Sequence, residues 1–76
     1  MNYFPVISGK KLIKILERND FVIIRTKGSH VRMKSNDGRI TTIPVHGNKD
    51  LPKGLLRKII FKDLELSTDE VEDFFE

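Results

Sequence analysis

Cysteine is absent from all 76 residues, which excludes a disulfide framework and any zinc site built on thiolates. Long apolar runs are missing too. Nothing exceeds Phe21-Val22-Ile23-Ile24, whereas crossing a bilayer takes roughly 20 apolar residues. The stretch Met1-Asn2-Tyr3-Phe4-Pro5 has neither the basic flank nor the apolar segment of a secretory signal. A cytoplasmic protein with no membrane partner is the expectation. Histidine is scarce, with His30 and His46 the only two. A metal centre needs three or four ligands, and the acids nearest these histidines, Asp37 and Asp50, stand in no recognisable ligand spacing. No glycine-rich loop follows a strand and opens a helix, so a nucleotide cradle is not expected. Ser29 lacks the flanking residues of a nucleophile elbow. No metal and no cofactor are expected, which leaves metal-free acid–base chemistry for an enzyme.

What is present is charge, unevenly placed. All 14 Lys and Arg lie within residues 1–62 beside only Glu17, Asp20, Asp37 and Asp50, while residues 63–76 hold every other acid and no base. The body is therefore near +10 and the tail near −7, although the whole chain is only +3. A compact body this positive attracts polyanions, nucleic acid first among them. The alternative is a solvated basic surface with a solubilising acidic tail, or a tail that folds back across the basic face.

A chain this short makes one domain, able to bury about 60–65% of its unfolded surface. Ser8 is placed to cap a first helix, with Ile7 and Leu12 in hydrophobic-staple spacing. Leu12, Ile13 and Leu16 form its apolar stripe, and Asn19-Asp20 ends it, with Asn19 the residue suited to a left-handed stop. Residues 21–26 read as a strand, Lys27-Gly28-Ser29 as a turn, and residues 30–34 as a second strand. There Val31 and Met33 face one way, and His30, Arg32 and Lys34 the other. Asn36-Asp37-Gly38 signals a hairpin, and residues 39–45 a third strand, with Pro44 at an edge or leaving the sheet. Whether Ile40 and Thr42 or Thr41 and Ile43 face the core is open on polarity.

Pro52 belongs in the first turn of a second helix, which buries Leu55, Leu56, Ile59, Ile60 and Leu64. Ser67 and Glu70 make a capping box for a short third helix anchored by Val71, Phe74 and Phe75. The expected fold is α+β: a two-layer α-β-β-β-α domain over residues 1–66, followed by an acidic short helix over 67–76. A three-stranded antiparallel sheet has two helices on one face, the layout of the double-stranded-RNA-binding fold.

On the opposite face, His30 is suited to acid–base work, because an unperturbed imidazole titrates near pH 6.5. RNA carries its own nucleophile, the 2′-hydroxyl, and cations can stabilise the charge that its attack creates on phosphorus. Lys27, Arg32, Lys34 and Arg39 are the nearest candidates; Gly28 lets the backbone turn closely beneath a phosphate, and Ser29 can donate a hydrogen bond. The plain reading makes Gly28-Ser29 a turn and His30 a half-exposed strand residue. His46 is either a second acid or base, or a loop residue bonded to backbone.

The chain resembles the HicA, or YcfA-like, toxins in four ordered blocks. These are Val6-Ile7-Ser8-Gly9-Lys10-Lys11-Leu12-Ile13-Lys14-Ile15-Leu16 continuing to Phe21, then Lys27-Gly28-Ser29-His30, Pro44-Val45-His46, and Lys53-Gly54-Leu55-Leu56-Arg57-Lys58-Ile59-Ile60. The resemblance spans roughly residues 6–64. It implies a translation-independent mRNA endoribonuclease on a double-stranded-RNA-binding-like fold, with His30 at the catalytic position. It also implies a HicB antitoxin partner that covers the site, the free toxin being a monomer. Asp20 and Glu65 stand where the family often has glycine. A non-catalytic RNA-binding module and a protein-interaction domain with a basic face are the competing readings.

Overall fold

The computed structural model describes residues 4–76; the signal-peptide reading of Met1-Asn2-Tyr3 lies outside them. Helix α1 runs Gly9–Arg18, followed by strands β1 (Phe21–Lys27), β2 (His30–Ser35) and β3 (Ile40–Pro44). Helix α2 (Lys53–Lys58) continues into a π-helical turn at Ile59–Asp63, and α3 (Thr68–Phe75) closes the chain. The strands form one antiparallel sheet in the order β1-β2-β3. This is the α+β, double-stranded-RNA-binding-like architecture. No helix among the described residues is long and apolar enough to cross a membrane.

Local chemistry sets the helix ends. Ser8 Oγ accepts the Lys11 N–H at 3.2 Å, satisfying one of the orphan donors of the first turn. The capping box of Ser67 and Glu70 is formed, with Ser67 N–H donating to Glu70 Oε1 at 2.7 Å. The stop after α1 differs from expectation. Asn19 keeps a negative φ of −106°, and its side-chain amide donates to Ile15 O and Phe74 O instead. Asp20 takes the left-handed conformation at φ +69°.

The helical layer covers β2, β3 and only the Phe21 end of β1. Val31, Met33 and Ser35 of β2 are buried, as are Thr41 and Ile43 of β3, so β3 turns Ile40 and Thr42 outward. Thr41 goes inside because Asp63 awaits it. Its hydroxyl donates to Asp63 Oδ2 at 3.0 Å, and Lys58 Nζ lies 3.5 Å from the same oxygen. The π turn arranges this, since its wider winding bonds Leu64 N–H to Ile59 O at 2.8 Å and brings residues five apart together. Leu12, Leu16, Met33, Ile43, Ile59, Ile60 and Leu64 are fully buried around it.

Two further seams hold the ends of the chain. Leu51 N–H donates to Ile7 O at 2.9 Å, and Phe4 packs on Phe61 with the Arg57 guanidinium over both rings. At the other end α3 buries Val71 and Phe75 in the common core, and Arg18 donates to Glu76 O at 3.0 Å. The acidic helix thus docks beside the end of α1, on the helical layer. It does not lie across the open basic face, contrary to one expectation from charge, because its two apolar anchors give more free energy in the core than contacts with exposed cations could.

Two stability predictions follow from the backbone. Gly9 lies so close to Pro44 O that a Cβ would collide with it, so Gly9→Ala should cost about 1–3 kcal/mol in denaturant unfolding. Glu65, at φ +57°, and Asp20 occupy a conformation that L-residues adopt at a cost. Replacing each with glycine should raise stability by roughly 0.5–1 kcal/mol, more at 65 than at 20 because aspartate tolerates the left-handed region better.

Candidate active site

Three rows of side chains cross the open sheet face, set by the register of the two ladders. Val22, Lys34 and Ile40 form the first row; Arg25, Arg32 and Thr42 the second; Lys27, His30 and Pro44 the third. His30, Arg32 and Lys34 point outward by the two-residue period of β2, and all three are exposed. The second and third rows enclose a cleft of about 190 Å³ lined by Arg25, Lys27, His30, Arg32 and Thr42.

Gly28 and Ser29 link Lys27 to His30. Gly28 adopts φ +57°, which a side chain would resist, and Ser29 O accepts the Val45 N–H at 2.7 Å. This bond ties the turn to the end of β3 and fixes where β2 starts, and so where His30 emerges. An imidazole among cations, open to solvent, can take a proton from, or give one to, a hydroxyl of an anionic ligand that the cations attract.

The structure brings some of the expected residues together and separates others. Lys27, Gly28, Ser29, His30 and Arg32 cluster at one end of the sheet. Lys34 shares the face but lies four residues along β2 from His30, roughly 13 Å at strand spacing. Arg39 lies at the far end, beyond Ser35, and is occupied. Its Nε donates to Asp37 Oδ1 at 2.9 Å and its Nη1 to Leu64 O at 2.8 Å, while the guanidinium covers Phe21. It clips the β2–β3 hairpin to the end of the π turn. His46 is exposed in the loop after β3, where its carbonyl accepts from Lys49, and it does not line the cleft.

Arg25 and Thr42 line the cleft although sequence reasoning did not select them. For Arg25 a signal was present. Counting alternation forward from buried Phe21 puts Arg25 on the core side, whereas counting back from Lys27 across the two-residue turn puts it beside Arg32. The two counts disagree by one residue, and the ladder slips by one between Ile23 and Arg25. For Thr42 the signal appears only once Asp63 has claimed Thr41.

A family model described as the HicA toxin of bacterial toxin–antitoxin matches residues 9–66. The match takes in α1, the whole sheet, α2 and the π turn, and stops short of α3. No curated protein matches the chain.

The hairpin clip has a pH signature. Ser35 and Arg39 donate hydrogen bonds to Asp37 and lower its pKa from 3.8 to about 2. A carboxylate lowered in the folded state stabilises above its unfolded pKa, and that contribution disappears as pH falls through the folded value. Asp37→Asn should therefore lower the thermal midpoint at neutral pH and flatten its decline between about pH 4 and 2. Arg39→Ala, which removes the bonds to Asp37 and Leu64 O, should also lower the midpoint.

Proposed function

The chain belongs to the HicA toxin family of bacterial toxin–antitoxin systems, and from that membership we propose that it is an endoribonuclease that cuts mRNA with His30. The toxin of such a pair has an antitoxin as its partner. In this proposal that partner is of the HicB type, and it silences the protein by covering the open sheet face. The free toxin acts in the cytoplasm as a monomer.

The setting of His30 carries the reading. It is exposed on a face that the helices leave open, in a cleft whose other lining is Arg25, Lys27, Arg32 and Thr42. Imidazole is the side chain whose ordinary titration lies nearest neutrality, so it can take a proton without being permanently charged. A single-stranded RNA enters with its phosphates against the cations. His30 accepts the proton of a 2′-hydroxyl, the 2′-oxygen attacks the adjacent phosphorus, and Lys27 stabilises the charge growing on the equatorial oxygens. Ser29 and the backbone of Gly28 flank that phosphate. The bond from phosphorus to the 5′-oxygen breaks as that oxygen takes a proton from solvent water in the open cleft, leaving a 2′,3′-cyclic phosphate and a 5′-hydroxyl, and His30 returns its proton to solvent. The nucleophile belongs to the substrate, so the scheme needs neither a metal ion nor a cofactor.

His30→Ala should reduce cleavage of single-stranded RNA by roughly 10²–10⁴-fold, abolish growth arrest on induction, and leave the circular dichroism spectrum unchanged. Products from the wild type should carry 2′,3′-cyclic phosphate ends, a chelator should have no effect, and a 2′-O-methyl RNA should remain uncut. Undiminished cleavage by folded His30→Ala would remove the imidazole from the chemistry. Absence of cleavage by both proteins, with RNA still bound, would leave a binding module.

A further inference from the structure

Arg25 and Arg32 stand directly opposite each other across the β1–β2 ladder, and both line the His30 cleft. Like charges in that relation repel and weaken the pairing of the strands. No carboxylate relieves them: the ion pairs among the described residues are Arg39 with Asp37 and Lys58 with Asp63. The fold therefore maintains two uncompensated guanidinium groups side by side on an exposed surface.

Arg25 arrives there through an irregularity. Ile23 pairs with Met33 and Arg25 pairs with Arg32, so Ile24 is an extra residue in the strand. Had β1 continued without the slip, Ile24 would face Arg32, Arg25 would stand against buried Val31, and Thr26 would face His30. The bulge reverses the phase of the strand and delivers both Arg25 and Lys27 to the face that carries His30. Bulges are concentrated beside active sites, where they re-aim side chains.

Spacing then distinguishes two positions on this face. Arg32 lies two residues along β2 from His30, roughly 6.6 Å at strand geometry. That is comparable with the separation of neighbouring phosphates along a single nucleotide strand. We infer that Arg25 and Arg32, with the Thr42 hydroxyl beside them, form a second phosphate subsite that holds the phosphate next to the one being cut. Guanidinium forks suit phosphodiester oxygens, and an anion lying between the two groups turns their mutual repulsion into attraction for the ligand. The inference rests on the proposed RNA chemistry only for what occupies the neighbouring row; the subsite itself is a binding property.

A short single-stranded 2′-O-methyl RNA tests it, because that probe lacks the nucleophile and its binding does not depend on whether His30 is the base. Fluorescence anisotropy over a range of salt concentrations compares wild type with Arg25→Gln, Arg25→Lys and the control Lys10→Gln, which removes one charge from α1. Arg25→Gln should weaken binding by about tenfold or more and reduce the slope of log affinity on log salt by about 0.7, the value for one lost single-strand phosphate contact. Lys10→Gln should do neither. Arg25→Lys should fall between wild type and Arg25→Gln, since an ammonium keeps the charge but not the fork. The low-salt thermal midpoint of Arg25→Gln should equal or exceed that of wild type, since the repulsion with Arg32 is gone. Equal losses in Arg25→Gln and Lys10→Gln would overturn the subsite in favour of diffuse electrostatics. A loss of affinity accompanied by a lower midpoint would overturn it in favour of a structural role for Arg25.

Discussion

The central strand β2 is hydrogen-bonded along both edges, and its two-residue alternation joins the hydrophobic core to the open face. Val31, Met33 and Ser35 go under the helices while His30, Arg32 and Lys34 go out to solvent. A slip of one residue in this strand would bury three ionisable side chains and expose the core, so packing holds the outward face in register. The position of His30 follows from the burial of residues that take no part in any chemistry.

The helical layer contributes in the same indirect way. The π turn lets Asp63 reach Thr41, which fixes the phase of β3 and sends Thr42 outward. Arg39, occupied by Asp37, Leu64 O and the Phe21 ring, anchors the far hairpin. Ser29 O and Val45 N–H anchor the near one. With both ends held, the middle of the sheet can carry cations that have no carboxylate partner among the described residues. Their repulsion is a cost that the buried contacts of the opposite face offset. Among the described residues, ion pairing is concentrated where the structure must be held, at Arg39–Asp37 and Lys58–Asp63, and unpaired cations on the open sheet face.

The exposed aliphatics of β1 belong to the same division. Val22, Ile23 and Ile24 form part of an edge strand that the helices do not cover beyond Phe21. Such an edge invites pairing with other chains, and the bulge at Ile24 together with Arg25 and Lys27 is the kind of feature that discourages it. One irregularity thus breaks the regularity of an open edge and also turns two cations toward His30.

Sequence alone determined what depends on neighbours a few residues away. The Ser8 cap, the Ser67–Glu70 box, the turn at Gly28-Ser29 and the alternation of β2 were legible because each is a contact within one turn or along one strand. The order α-β-β-β-α followed from them, and so did the exposure of His30. Long-range contacts decided the rest. Thr41 and Thr42 are chemically identical, and only tertiary contacts tell them apart: Thr41 pairs with buried Met33 and bonds Asp63, distant in sequence, while Thr42 pairs with exposed Arg32. Arg39 looked as available as Arg32 until Leu64 O and Phe21 were brought to it. Arg25 entered the cleft because the pairing of two strands requires one residue more than a regular count supplies. Local patterns set the period of each element, but the phase between elements is set by which side chains can be buried together, and that is settled only when the chain closes on itself.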